Sequence, residues 1–295
     1  MKNIGVIGLG NMGSGLAKNL IAADFTVPGY DLLPERMQEF EVLGGLSKAN
    51  AAEVGDGADA VFIMVMNGDQ TKSVVEELKT TMKPGGVIIL TATIHATEAV
   101  EVAALLEGSG LELIDTPVSG GRPGAHGGTL TLMASAPDSL MKKCDSVLQS
   151  VSGTIHHVGT EPGVGQTVKG CLQSLIGSIF SATFEASVLA AKAGIDADAL
   201  YKVFSTSAAG CGITNAALGN VIDREFQNTG SHISTMYKDL TISMDLARRH
   251  GVPLFTASIA MQMFQAGITR YPDADNQTVA KISEEIVGAH LERKR

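Results

Sequence analysis

Three glycines at the end of a short apolar run constrain this chain more than any other feature. Asn3 to Ile7 is apolar and rich in β-branched residues, so it reads as a buried strand. Gly8, Leu9, Gly10, Asn11, Met12 and Gly13 then spell G-x-G-x-x-G, and an Ala/Leu-rich helical pattern follows. At such a junction Gly8 permits the tight turn and Gly10 lets a pyrophosphate approach the backbone. Gly13 lets the helix pack closely on the strand. The phosphates would rest on free N–H groups at the helix N-terminus, where the dipole favours negative charge. Asp31 follows by about the twenty residues expected of an acid that binds a ribose 2′-hydroxyl. Strand, glycines, helix and acid together point to a dinucleotide site; the plainer alternative is a glycine turn in some other α/β protein.

Asp31 also bears on which dinucleotide. A carboxylate there accepts hydrogen bonds from a free 2′-hydroxyl and repels a 2′-phosphate, which an arginine nearby would accommodate. Leu32 and Leu33 follow Asp31, and the first arginine is Arg36. NAD is therefore expected over NADP. Pro28 falls inside the second expected strand, where a proline removes a ladder donor.

A net charge of −9 argues against nucleic acid or an anionic membrane as partner. The one basic cluster, Glu292 to Arg295, reads as a solvated tail. Cys144, Cys171 and Cys211 are odd in number and widely spaced, with neither a disulfide framework nor metal-ligand spacing. His156 and His157 lack partner ligands, so no metal site is expected. No signal-like segment precedes the first strand, and no apolar run approaches the length of a membrane span. A soluble cytoplasmic enzyme is the expectation.

Through the first half, short apolar runs alternate with helical patterns. Strands are expected at 60–66, 87–90, 111–115, 129–134 and 154–158, with helices at 70–81 and 97–107 and from about Asp138. That alternation predicts a doubly wound, mostly parallel sheet. A Gly-rich loop from Ser119 to Gly128 interrupts it. Beyond Gly163 the pattern is helical: one long, largely buried helix over 166–193 with Gly194 as C-cap, then helices at 197–205, 212–221, 233–250, 256–266 and 278–290. The expected division is an α/β nucleotide-binding domain over 1–162 and an all-α domain over 163–295.

Open α/β sheets bind ligands outside the carboxyl ends of their strands. Met66 and Asn67, the stretch 91–94 and the stretch 115–121 lie at such ends. Thr93 is placed to touch a nicotinamide through its hydroxyl, or simply to cap a helix. Ser119, Gly120 and Gly121 offer a hydroxyl and two unhindered N–H groups, a nest suited to a carboxylate; an ordinary glycine turn reads the same way. Lys169 opens the long apolar helix. Burial would disfavour its ammonium form, which suits a proton-transfer group. Gln173 lies four residues on and shares its helical face, so lysine and amide together could hold one substrate oxygen. A lysine near a helix start is otherwise commonly solvated. His95 and His126 read as solvated loop residues, Arg122 lies beside the nest, and Met261 and Met263 read as core.

At this point the residues resemble a family, the β-hydroxyacid dehydrogenases. The resemblance spans nearly the whole chain. It rests on Gly8 to Gly13, on Asp115-Thr-Pro-Val-Ser-Gly-Gly121 with Gly128-Thr-Leu-Thr131, on Gly163-x-Gly165-x-x-x-Lys169, and on Lys238-Asp239-Leu240. It implies that Lys169 is the general acid/base and that Ser119, Gly120 and Gly121 bind a substrate carboxylate. Thr93 and Lys238 would contact the cofactor, and the chain would form dimers or tetramers through its helical domain. One departure stands out. The family commonly reads Lys-x-x-Asn-Asn, and Leu172 and Gln173 replace both asparagines here. The L-threonate dehydrogenase branch is similar in carrying a glutamine at this place, which points to a polyhydroxylated acid. The helical half is too short for 6-phosphogluconate dehydrogenase.

The expected function is NAD-dependent oxidation of a small hydroxy acid, a 3-hydroxy acid or a four-carbon sugar acid. An NADPH-preferring semialdehyde reductase and a non-catalytic NAD-binding protein are the alternatives.

Overall fold

The computed structural model describes residues 1–294. The chain opens with β1 (Ile4–Ile7), α1 (Gly13–Ala22), β2 (Pro28–Tyr30), α2 (Pro34–Val42), β3 (Leu46–Ser47) and α3 (Ala51–Gly55). It continues through β4 (Ala60–Ile63), α4 (Gly68–Leu78), β5 (Val87–Leu90), α5 (Ala96–Leu105) and β6 (Glu112–Asp115). Then come β7 (Val118–Ser119), α6 (Gly121–Gly127), β8 (Leu130–Ser135), α7 (Asp138–Val151) and β9 (Ser152–Gly159). The strands lie in the order β3-β2-β1-β4-β5-β6-β8, with β7 and β9 also paired to β8. Pairing is parallel from β3 to β6 and between β8 and β9; β8 runs antiparallel to β6 and β7. This is the doubly wound, mostly parallel sheet that the alternation predicts.

The central strands are buried on both faces because successive side chains alternate between two apolar clusters. Ile4, Val6, Phe62, Ile89 and Ile114 enter one, and Ile7, Val61, Ile63, Ile88 and Leu90 the other. Pro28 fits without a bulge. Thr26 N–H donates to the Lys2 carbonyl, and two residues on the proline has nothing to donate. The ladder therefore skips from the bridge Asn3↔Thr26 to Val6↔Gly29 while register is kept.

The chain forms two compact units, Met1–Lys169 and Gly170–Arg295. The 29-residue helix α8 (Val164–Lys192) runs from one into the other. The second unit continues with α9 (Ala197–Thr206), α10 (Gly212–Ile222), α11 (Ile233–Arg249), α12 (Phe255–Arg270) and α13 (Val279–Val287). Its core gathers Phe180, Phe184 and Phe264 with Leu240, Val221 and Val279. Phe180 stacks on Phe184 at 5.8 Å between centroids and meets Phe264 edge-on at 6.2 Å. Gly194, at φ +75°, stands just past the end of α8.

Several expectations are corrected. The Gly-rich segment after Ser119 contains α6 rather than only loop. The helix α8 is long and apolar enough to cross a membrane by length and composition alone, contrary to the sequence reading. It is also less buried than expected, with Leu175 and Leu189 exposed. Buried polar side chains at Gln166, Lys169, Gln173, Thr183 and Ser187 instead suit a helix inside a folded protein. The C-terminal residues are not a free tail as far as Arg293. Leu291 is buried, and Arg293 pairs with Asp198 at 2.8 Å and Asp223 at 2.5 Å. Arg295 lies outside the described residues.

Candidate active site

Each glycine of the first loop meets a different constraint. Gly8 sits at φ +87°, and a Cβ there would lie 2.3 Å from the Met64 carbonyl oxygen. A Cβ on Gly13 would lie 1.7 Å from the Gly8 carbonyl oxygen. Any side chain at either place would break the strand–turn–helix junction. Gly10 is open: its nearest neighbour would be the Arg36 guanidinium at 3.4 Å. Crowding at Gly8 and Gly13, with only the end of the flexible Arg36 side chain over Gly10, fits a loop shaped for a pyrophosphate. Leu9, Asn11 and Met12 fill the same turn.

Asp31, just past β2, is buried and holds this loop in place. Its Oδ2 accepts from Leu9 N–H at 2.7 Å and its Oδ1 from Leu33 N–H at 2.9 Å. Arg36 Nη1 reaches Asp31 Oδ2 at 3.2 Å. The premise that no arginine stands near the acid is therefore corrected. Pro34 starts α2 at once, and its first turn carries Arg36 back over Asp31 and Gly10. The donor set fits a dinucleotide, and both a carboxylate and a guanidinium stand where the adenosine ribose would be read.

At the carboxyl end of β4, Asn67 caps α4 by accepting from Gln70 N–H at 2.9 Å, and Met66 N–H donates to Gln70 Oε1. Met66 is exposed. Thr93 follows β5 and precedes His95, whose backbone N–H donates to Glu98 Oε2 at 2.8 Å in a capping box. Ser119 ends β7, paired with Thr131 on β8. Gly120 at φ +133° and Gly121 at φ +58° then turn the chain into α6. These positive φ values favour glycine over any residue with a Cβ.

Lys169 is buried, and its Nζ donates to the Val118 carbonyl at 2.9 Å. Val118 is the residue before Ser119, so the lysine and the Ser119–Gly121 turn are brought together although about fifty residues separate them in sequence. One turn earlier, Gln166 Nε2 donates to the Ala92 carbonyl at 3.0 Å and its Oε1 accepts from Ile94 N–H at 3.1 Å. The same Nε2 donates to Asp115 Oδ1 at 2.9 Å. Asp115 Oδ2 accepts from Gly163 N–H at 2.9 Å and Gln166 N–H at 3.3 Å. Burial pushes the Asp115 carboxyl up to about 6, against the pull of the Gln166, Gly163 and Gly165 donors.

With Lys238, the residue there expected to contact the cofactor, Gln173 lies in the second unit. Its Nε2 donates to Asp239 Oδ2 at 2.5 Å, and Lys238 Nζ stands 3.0 Å from Asp239 Oδ1. A carboxylate only accepts, so the glutamine nitrogen must face it and the amide oxygen is turned the other way.

Spacing does not single out Asp115, Gln166 or Asp239 by role, because their partners lie 48 to 74 residues away. His126 is also corrected. It belongs to α6, with Nε2 at 3.2 Å from the Asn11 carbonyl and 3.5 Å from Ser14 Oγ. His157 Nε2 lies 2.7 Å from the Ala136 carbonyl, and its Nδ1 3.4 Å from Asp138. Burial pushes the Cys144 thiol up to about 11, which leaves it an inert core residue.

Residues 3–159 match the family described as the NAD binding domain of 6-phosphogluconate dehydrogenase. Residues 163–283 match the one described as NAD-binding of NADP-dependent 3-hydroxyisobutyrate dehydrogenase. The chain is 35% identical to L-threonate dehydrogenase of Cupriavidus necator over 285 residues, which cover 95% of this chain and 96% of the relative. It is 34% identical to L-threonate dehydrogenase of Escherichia coli O6:H1, covering 95% and 94%. The crystal structure of 3-hydroxyisobutyrate dehydrogenase from Salmonella typhimurium superposes with a TM-score of 0.89 at 32% identity, covering 96% of this chain and 100% of that one. With these matches covering 95% or more of its length, the chain belongs to the β-hydroxyacid dehydrogenase family, a group of NAD(P)-binding oxidoreductases.

Proposed function

We propose that this chain oxidises a small hydroxy acid by hydride transfer to NAD, with a four-carbon sugar acid of the L-threonate kind as foremost substrate. The observation that carries this reading is the buried Lys169 ammonium group, 2.9 Å from the carbonyl of the residue preceding the Ser119–Gly121 nest. Ser119 Oγ and the N–H groups of Gly120 and Gly121 hold the substrate carboxylate. Lys169, as the neutral amine at the moment of transfer, takes the hydroxyl proton as the neighbouring carbon loses hydride. In the reverse direction the same ammonium returns a proton to the carbonyl oxygen. The nicotinamide, when bound, supplies the hydride chemistry; the protein supplies orientation and the proton. Gln173 lies four residues after this lysine on α8 and supports a substrate richer in hydroxyls than one met by two asparagines. Thr93, Met66, Asn67 and Lys238 are assigned to the cofactor.

NADH formation with 3-hydroxyisobutyrate, glycerate, L-threonate, D-erythronate and 4-hydroxybutyrate tests the substrate. Lys169→Ala is expected to lower kcat by at least about a hundredfold with cofactor binding kept. Near-normal turnover in that variant would sink the mechanism. Arg36 beside Asp31 favours a second reading, an NADPH-linked semialdehyde reductase, and titration with both cofactors separates the two. The enzyme is further assigned to the cytoplasm as a homodimer or homotetramer. The family resemblance supports self-association, which light scattering of the purified protein measures.

A further inference from the structure

The first turn of α8 is held from two sides by groups that do not belong to it. From β6, Asp115 accepts the N–H groups of Gly163 and Gln166, which the helix geometry leaves without carbonyl partners. From the segment after β5, the backbone of Ala92 and Ile94 grips the Gln166 amide through one acceptor and one donor, on either side of Thr93. Gln166 is 1% exposed and Asp115 fully buried. There is no slack in the contact: a Cβ on Gly165 would lie 2.5 Å from the Met133 carbonyl oxygen and 2.8 Å from that of Asp115. Three residues beyond Gln166, Lys169 meets the Val118 carbonyl.

We propose that Gln166 and Asp115 are positioning residues that fix the Lys169 amine with respect to both the Thr93 segment and the Ser119–Gly121 nest. This rests on Lys169 being the proton-transfer group. Gln166 fills a place that needs a donor and an acceptor on one planar head. Its nitrogen serves the Ala92 carbonyl and Asp115 together, and its oxygen serves Ile94 N–H. A rotation of this amide would set two acceptors against one another at Ala92 and at Asp115. The orientation is thus fixed, and with it the phase of the helical turn that carries Lys169. Proton transfer requires placement at the ångström scale, so the clamp acts on turnover and not only on folding.

Gln166→Glu separates the two roles. The variant keeps the acceptor for Ile94 N–H but sets a second carboxyl against Asp115, and such a pair shares one proton as pH falls. The introduced carboxyl, once protonated, then donates to Asp115 as the amide did. Other charged groups on the surrounding elements are His95 and Glu98 after β5, Glu161 before α8, and Lys169 itself. Gln166→Met removes all three bonds and has no proton to regain.

The measurement is kcat of wild type and both variants over pH, with NADH affinity by fluorescence and folded fraction by circular dichroism. The expected result is a loss of kcat of about tenfold or more in both variants with the fold kept. The Gln166→Glu to wild-type ratio should rise at least about fivefold on acidification from about pH 8 to about pH 6, more than the Gln166→Met ratio, where Asp115 titrates without a carboxyl partner. Turnover within about twofold of wild type in both variants, a flat ratio for Gln166→Glu, or activity that only follows the folded fraction would each overturn the assignment. Lys169→Ala is assayed alongside. If it turns over normally, the proton-transfer reading falls and takes this one with it. If it is inert while both Gln166 variants are fully active, only the positioning role is lost.

Discussion

Lowering the pH puts a proton on Asp115 in the middle of the nucleotide-binding unit, and the size of the effect follows from its surroundings. The side chain is wholly buried, and its carboxyl is pushed from 3.8 up to about 6. The folded state then binds this proton more tightly than the unfolded state. Between the two values the native protein carries more protons, so stability contributed by this group falls as pH rises and is regained as pH falls. Linkage gives about 1 kcal/mol of added stability at about pH 5 and about 2 kcal/mol at about pH 4, relative to about pH 8. Other carboxylates titrate in the same window, so the quantity to measure is a difference. Wild type and Asp115→Asn are unfolded in guanidinium chloride across this range, followed by circular dichroism. The wild type should gain on the variant by these amounts as the solution is acidified. Carbon-13 NMR of labelled aspartate reports the titration directly, with one carboxyl near 6. A constant stability difference, or no aspartate titrating above about 5, would refute the reasoning that burial outweighs the N–H donors around this group.

Other substitutions probe the cofactor loop and the helical unit. Gly13→Ala drives a Cβ to 1.7 Å from the Gly8 carbonyl oxygen, so it should lower thermal stability and abolish NADH binding together. Gly10→Ala meets only the Arg36 guanidinium at 3.4 Å; it should fold normally, and its loss of affinity in a fluorescence titration would be specific to binding. Arg36→Ala should raise KM for NADP at least about tenfold and leave KM for NAD within about threefold, since only the 2′-phosphate needs the guanidinium. Equal effects on both cofactors would assign Arg36 to holding Asp31 instead. Gln173→Leu takes the amide donor from buried Asp239. It should cost about 1–3 kcal/mol in unfolding experiments, the penalty for a buried acceptor left short of a partner.

Much of the first unit is legible in the amino-acid sequence. The run at 87–90 is β5 to the residue, and the expected strands at 129–134 and 154–158 lie within a residue or two of β8 and β9. Strands buried on both faces leave continuous apolar runs, and turns leave glycine, so the signals are local. Helix α6 is not legible because Gly121, Pro123, Gly124 and Gly127 argue against a helix on propensity. It forms by docking on α1. Asn19 Nδ2 donates to the Ala125 carbonyl at 2.7 Å, and a Cβ on Gly15 would strike Ala125. Arg36 misleads for a related reason: five positions in sequence become 3.2 Å once Pro34 starts a helix.

The sequence by itself determined the parts whose physics is short-ranged: the strand–glycine–helix junction, the acid after it, the alternation that makes a parallel sheet, and the long apolar helix. Tertiary structure decided which polar groups meet. Asp115 and Gly163 are 48 residues apart, Gln166 and Ala92 are 74 apart, and Gln173 and Asp239 are 66 apart. No periodicity connects such positions. A buried polar group must find a partner wherever the fold puts one, so the pairing of these residues is written in the packing of strands and helices rather than in any local pattern.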